Sequence, residues 1–126
     1  MSDDLYSSKY AENMQGPSGS WPLDNEPAEG LKYDGDKIRM ELLPPEFLHA
    51  TADILTFGAK KYADRNWEKG MAWSRVFGAL QRHLWSWWKG EHVDPETGKS
   101  HLWHACCCLA FLVTYEARGI GKDDRP

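Results

Sequence analysis

Between Pro45 and Arg118 the chain alternates long apolar-periodic stretches with short polar breaks, and the stretches carry the period of a helix rather than a strand. The first, "PEFLHATADILTFGAKKYADRNW", follows a double proline that halts whatever precedes it and is tolerated in a first helical turn. A helix is therefore expected to begin near Pro45. Wound at roughly 100° per residue, it gathers Glu46, His49, Asp53, Lys60 and Asp64 into one sector about 60° wide. Phe47, Leu48, Ala52, Ile54, Leu55, Ala59 and Tyr62 spread over most of the rest. The pattern is that of a largely buried rod with a narrow polar seam; a half-buried helix whose few charges reach water fits the wheel equally well.

The second stretch, "AWSRVFGALQRHLWSWWKG", lines up Val76, Leu80, His83 and Trp87, and Glu91 and Asp94 extend that face if the helix runs on. Gly90 and Pro95 mark the region where it ends. "DPETGK" reads as a turn, and Ser100 as the N-cap of a third helix that is apolar nearly all round and so expected at the centre. Residues 1–30, rich in Gly, Pro, Ser and acids without a sustained period, read as a flexible arm. Residues 31–45 hold a short extended piece and a turn at Asp34-Gly35, and residues 119–126 form a charged tail. With no repeat and no strand pair, the expectation is an all-α antiparallel bundle over residues 31–118.

Short connections make neighbouring helices antiparallel, so the start of the first helix, the end of the second and the start of the third share one end of the bundle. Glu46, His49, Glu91, Asp94, His101 and His104 converge there. Carboxylates and imidazoles facing one another inside a bundle are the ingredients of a divalent-metal site, since buried charges need a counter-ion. Carboxylates suit Mg²⁺ or Mn²⁺, and imidazoles shift the preference toward Mn²⁺ or softer ions. Of three adjacent cysteines, only Cys108 shares the face of His101 and His104. Cys106 and Cys107 point elsewhere, and the spacing is not that of a structural zinc site, so the thiols read as packing.

Composition changes this picture in two respects. Seven Trp, five Tyr and four Phe in 126 residues are a heavy apolar load for a small domain, which points to a subunit interface. A balance of 15 Lys+Arg against 19 Asp+Glu, net −4, creates no field that would draw in a nucleic-acid polymer or an anionic membrane. The run Leu102–Tyr115 is too short for a membrane span, and the acidic start "MSDDLYSSKY" is unlike a signal peptide, so a cytoplasmic protein with reduced thiols is expected. A phosphate-bearing ligand must then be gripped locally, by residues among Lys37, Arg39, Lys60, Lys61, Arg65, Arg75 and Arg82, with Trp67 available to stack on a base. "GIGKDD" lacks the context of a phosphate-binding loop.

The blocks "GDKIRMELLPPEFL", "GAKKYADRNWEKGM" and "RHLWSWWKGEHVDPETGKSHLWHACC", in that order, resemble the phage dATP/dGTP diphosphohydrolases, a MazG-like branch of the all-α nucleoside-triphosphate pyrophosphohydrolases. The resemblance covers about residues 31–118. It implies a homodimer or homotetramer, in the host cytoplasm if phage-encoded, that uses two or more Mg²⁺ or Mn²⁺ ions. Such an enzyme splits a purine (d)NTP, dGTP or dATP, into (d)NMP and pyrophosphate by water attack at the α-phosphorus. The wider MazG-like pattern has an ExxE helix followed by an ExxD helix; here the apolar helix opens with His101 and His104, and the preceding one shows Arg82-His83. The metal candidates are accordingly Glu91, Asp94, His101 and His104, with Glu46, Asp53 and His83 around them. Glu91, Asp94 and His104 are candidates for handling the water's proton, and Asn66 joins the basic residues and Trp67 as a substrate contact. A His/Asp phosphohydrolase needs an adjacent His-Asp pair, which the chain lacks. A non-enzymatic helical oligomer whose seam only fixes register stays open.

Overall fold

A computed structural model describes residues 30–126. The chain divides into two units, Met1–Leu42 and Leu43–Pro126. The flexible arm expected over residues 1–30 lies, apart from Gly30, outside the described residues. In the first unit the Lys37 N–H donates to the Asp34 carbonyl at 3.0 Å, closing the turn anticipated at Asp34-Gly35. A 3-10 turn follows at Met40–Leu42, with Arg39 paired to Glu41 at 2.9 Å.

The second unit holds α1 (Pro45–Lys61), α2 (Trp73–Trp88) and α3 (His101–Arg118). Among the described residues there are isolated bridges but no strand. Pro45 opens α1 as its first helical residue, and the Ser100 hydroxyl caps α3 by accepting from the Leu102 N–H at 3.1 Å. α3 packs against both α1 and α2, while α1 and α2 scarcely meet. The buried side chains follow that arrangement: Ala50 and Ile54 on α1, Val76 and Leu80 on α2, and Ala105, Cys107 and Tyr115 on α3. His49 meets Trp103 near the start of both α1 and α3, whereas His83, late on α2, meets His101 and His104. The helices therefore run up, down and up, and the end of α2, the loop after it and the start of α3 bring His83, Glu91, Asp94, His101 and His104 together.

Three features depart from the helical-wheel picture. First, α1 stops at Lys61, because the following segment turns back onto α3. Arg65 takes a left-handed conformation (φ 58°) ahead of a 3-10 turn at Asn66–Lys69. The Trp67 ring stacks on Phe111 at 4.6 Å and 7°, and its carbonyl accepts from the Tyr115 hydroxyl at 2.6 Å. Asp64 consequently leaves the seam. Second, α1 is not a buried rod: only α3 packs on it extensively, and Phe47, Leu48 and Phe57 remain 44%, 50% and 37% exposed. Third, α2 stops at Trp88, so Glu91 and Asp94 arrive on a loop rather than on a helix face.

Residues 119–126 fold back over the start of α2. The Trp73 backbone N–H donates to the Lys122 carbonyl at 2.9 Å, and its indole N–H to the Ile120 carbonyl at 2.9 Å. Ala72 offers the first turn of α2 no side-chain acceptor. Asp124 takes that role from 50 residues away, accepting from the Ser74 N–H at 2.9 Å and from its hydroxyl. Those bonds hold the Asp124 carboxyl below its usual range. Gly121 (φ +78°) lies so close to this turn that an added Cβ would stand 2.5 Å from the Met71 carbonyl. No helix among the described residues is long and apolar enough to cross a membrane.

Tyr115→Phe strands the Trp67 carbonyl against a buried ring, and urea unfolding followed by tryptophan fluorescence should register a loss of about 1–3 kcal/mol. An unchanged midpoint would show that this lock contributes nothing. Gly121→Ala should also lower the midpoint, through both the clash and the positive φ.

Candidate metal centre

The loop from Lys89 to Ser100 is held by its own backbone. The Glu91 N–H donates to the Ser86 carbonyl at 2.9 Å, Asp94 N–H to Lys99 carbonyl at 2.8 Å, and His101 N–H to His92 carbonyl at 3.0 Å. The Asp94 carboxylate folds over its own turn, one oxygen accepting from the Glu96 N–H at 2.8 Å. These bonds fix Glu91 and Asp94 beside the first residue of α3.

That residue, His101, is 4% exposed. Its Nε2 lies 2.7 Å from Glu91 Oε1, and its Nδ1 lies 2.9 Å from Nδ1 of His83. Asp94 Oδ2 stands 3.8 Å from the same His83 nitrogen. One ligand atom each from His83, Asp94 and His101 falls within 4.8 Å of the others, the only such group of three or more His, Cys, Asp or Glu among the described residues. A carboxylate accepts hydrogen bonds, so Glu91 favours a proton on His101 Nε2. In the neutral tautomer that this selects, His101 Nδ1 is the acceptor and His83 Nδ1 the donor of the contact between the rings. Burial, and next the nearby His104 charge, push the His83 pKa down to about 4 against the opposing pull of Asp94. Burial likewise lowers His104, whose ring stacks on His83 at 4.6 Å and 8° and whose Nε2 lies 2.8 Å from the Thr97 hydroxyl. Both rings stay neutral at pH 7, the form in which imidazole binds metals.

Residues 27–125 match the family described as dATP/dGTP diphosphohydrolase, N-terminal. The chain belongs to the dATP/dGTP diphosphohydrolase family. It is similar to a dATP/dGTP diphosphohydrolase of Salmonella phage PMBT28, with 33% identity over 96 residues, 76% of this chain and 33% of the relative. The chain thus spans about a third of that relative's length. No solved structure matches it.

Other candidate residues in this family member fall outside the His83, Asp94 and His101 group. Glu46 is exposed in the first turn of α1. Asp53 faces Lys99, whose Nζ stands 2.7 Å from a buried Asp53 Oδ1 but outside hydrogen-bond geometry, leaving a Coulombic contact. Lys60 and Lys61 are exposed, Lys61 lying 5.2 Å over the Tyr62 ring. Arg65 pairs with Glu68 at 3.5 Å, and Glu68 is also held by Arg118. Asn66 sits in the 3-10 turn, and one face of Trp67 is covered by Phe111. Lys37 and Arg39 belong to the first unit. Arg82 is exposed, and its charge reaches both His83 and Cys108.

Wheel reasoning missed Thr97 and Lys99, which reach His104 and Asp53 beside the centre from the "DPETGK" turn. Their only signal was position, just ahead of the N-cap of the histidine-bearing helix. The cysteines line the wall: Cys106 bonds to Thr51 of α1, Cys107 is buried, and Cys108 feels Arg82 of α2. Burial raises all three thiols, Cys107 to about 12 and Cys108 to about 11. A disulfide reagent at pH 8 should therefore modify the folded protein at least about tenfold more slowly than the urea-unfolded chain, because thiolate is the attacking form. Equal rates in the two states would contradict a buried cysteine wall.

Proposed function

We propose that this chain carries the centre for hydrolysis of dATP or dGTP to the nucleoside monophosphate and pyrophosphate, by attack of water at the α-phosphorus. Membership of the family supports the substrate class. The observation that carries the reading is the convergence of His83, Asp94 and His101 at the end of the bundle. Two neutral-capable imidazoles and a carboxylate fit a divalent ion, with Asp94 supplying charge and Glu91 fixing the His101 ring. Such an ion, when bound, would offset triphosphate charge and acidify the attacking water.

The remaining roles fall to the chain's own groups. His104, outside the three-residue group and hydrogen-bonded to Thr97, would accept the proton of the water in this reading. Lys99 and Arg82 bring positive charge to the same end, where charge builds on departing pyrophosphate. Trp87 and Trp88, exposed just beyond His83 and tilted against each other, offer aromatic surface on which a purine could stack, whereas Trp67 has one face covered by Phe111. A second copy of the chain covering Phe47, Leu48 and Phe57 would complete the bundle as a dimer or tetramer.

Incubation of the protein with dATP or dGTP and a divalent ion should yield the monophosphate and pyrophosphate on anion-exchange chromatography. Asp94→Asn and His101→Gln should each lower kcat/KM by roughly 100-fold or more with helical circular dichroism retained. Nucleoside plus triphosphate as products, or wild-type rates in both variants, would overturn the reading.

A further inference from the structure

We propose that Lys99 is a phosphate-binding residue parked on Asp53 of α1 until a polyphosphate takes it over, so that the Asp53 to Lys99 pair sets which phosphate chains are held. The proposal deepens the reading above and rests on it for the class of substrate.

Placement is the first support. The Lys99 carbonyl accepts from the Asp94 N–H at 2.8 Å, and the Lys99 N–H donates to the Thr97 hydroxyl at 3.2 Å. That hydroxyl in turn meets His104, and Lys99 directly precedes the Ser100 cap of α3. The lysine backbone is therefore part of the loop that positions Asp94. Its charge reaches the His104 ring.

The state of the ion pair is the second. Lys99 Nζ stands 2.7 Å from Asp53 Oδ1, an oxygen that is itself buried and receives no hydrogen bond of good geometry. An ammonium on a flexible stem is a mobile point charge, unlike the rigid fork of an arginine, so charge alone keeps it there. Both side chains stay partly open to solvent, Lys99 at 30% and Asp53 at 27%. The pair thus holds a cation at the edge of the centre with its N–H donors still available to a ligand.

Charge balance gives the direction of the exchange. Moving the ammonium away leaves a buried carboxylate oxygen uncompensated, which is costly, so an incoming phosphate must offer more charge than Asp53 does. A triphosphate brings several negative charges, and a nucleoside monophosphate fewer. Lys99 therefore leaves Asp53 for the substrate and returns as the monophosphate departs. No covalent bond forms or breaks in this step; one charge-assisted contact replaces another.

The test is calorimetric titration of the full chain, in buffer containing Mg²⁺, with inorganic tripolyphosphate and with orthophosphate. Saturable binding of tripolyphosphate is expected, and clearly weaker binding of orthophosphate. Lys99→Met should weaken tripolyphosphate binding roughly 10- to 100-fold, as loss of a hydrogen bond to a charged group does, and Lys99→Arg should keep it saturable. Asp53→Asn should tighten it severalfold with helical circular dichroism retained, because the lysine no longer has a rival anion. A mere brace between α1 and the loop predicts the opposite for that variant, since breaking a brace from either side weakens binding alike. Wild-type affinity in Lys99→Met, weaker binding in Asp53→Asn, equal affinity for the two anions, or no saturable binding would each overturn the proposal. The expected pattern with no hydrolysis of dATP or dGTP would support the proposal and sink the hydrolase reading. Turnover of dGTP with an unchanged KM in Lys99→Met would do the reverse.

Discussion

The bundle end is organised by one contact, the approach of His83 Nδ1 to His101 Nδ1 at 2.9 Å with Glu91 holding the far side of the His101 ring. Two imidazole nitrogens face one another at that distance only if they share a proton or an ion. Glu91 decides which nitrogen of His101 is bare. Three parts of the chain must agree for this to happen: α2 supplies His83, α3 supplies His101 in its first turn, and the intervening loop supplies Glu91 and Asp94. The loop is braced by its own hydrogen bonds, which converts a connection into part of the scaffold.

The far end of the bundle does the bracing. Tyr115 on α3, wholly buried, is bonded to the segment that follows α1, and the last residues of the chain cap the start of α2 through Asp124. α1 and α2 are thereby tied to the same helix at the end remote from the histidines, although they scarcely touch each other. α3 acts as the common spine: its termini serve the site and the lock, while Ala105, Cys107 and Tyr115 form its buried wall. The thiols need no chemistry for that role, since burial suppresses their ionisation.

Local signals in the sequence carried much of this. Proline set the start of α1, Ser100 set the start of α3, and helical period with short connections pointed Glu46, His49, Glu91, Asp94, His101 and His104 to one end, of which Glu46 stays exposed. What escaped were features fixed by distant partners. The end of α1 depends on Trp67 reaching Phe111 and Tyr115, more than 40 positions along. Asp124 as a cap for Ser74 has no local signature either. The wheel placed Glu91 and Asp94 on an extended α2 because period alone cannot see that the backbone has stopped, and it cannot show that Asp53 answers to Lys99. A narrow polar seam likewise does not say how much of α1 is covered, which depends on how many neighbours the helix finds.

The most direct test of the account is the protonation pattern of the two facing rings in the metal-free protein. Long-range ¹H–¹⁵N correlation of the histidine side chains at pH 8 reads each tautomer from its nitrogen shifts. The account predicts His101 protonated at Nε2 with a bare Nδ1, and His83 carrying its proton on Nδ1; Glu91→Gln should blur the His101 preference. A His101 protonated at Nδ1, or an unbonded His83, would contradict it.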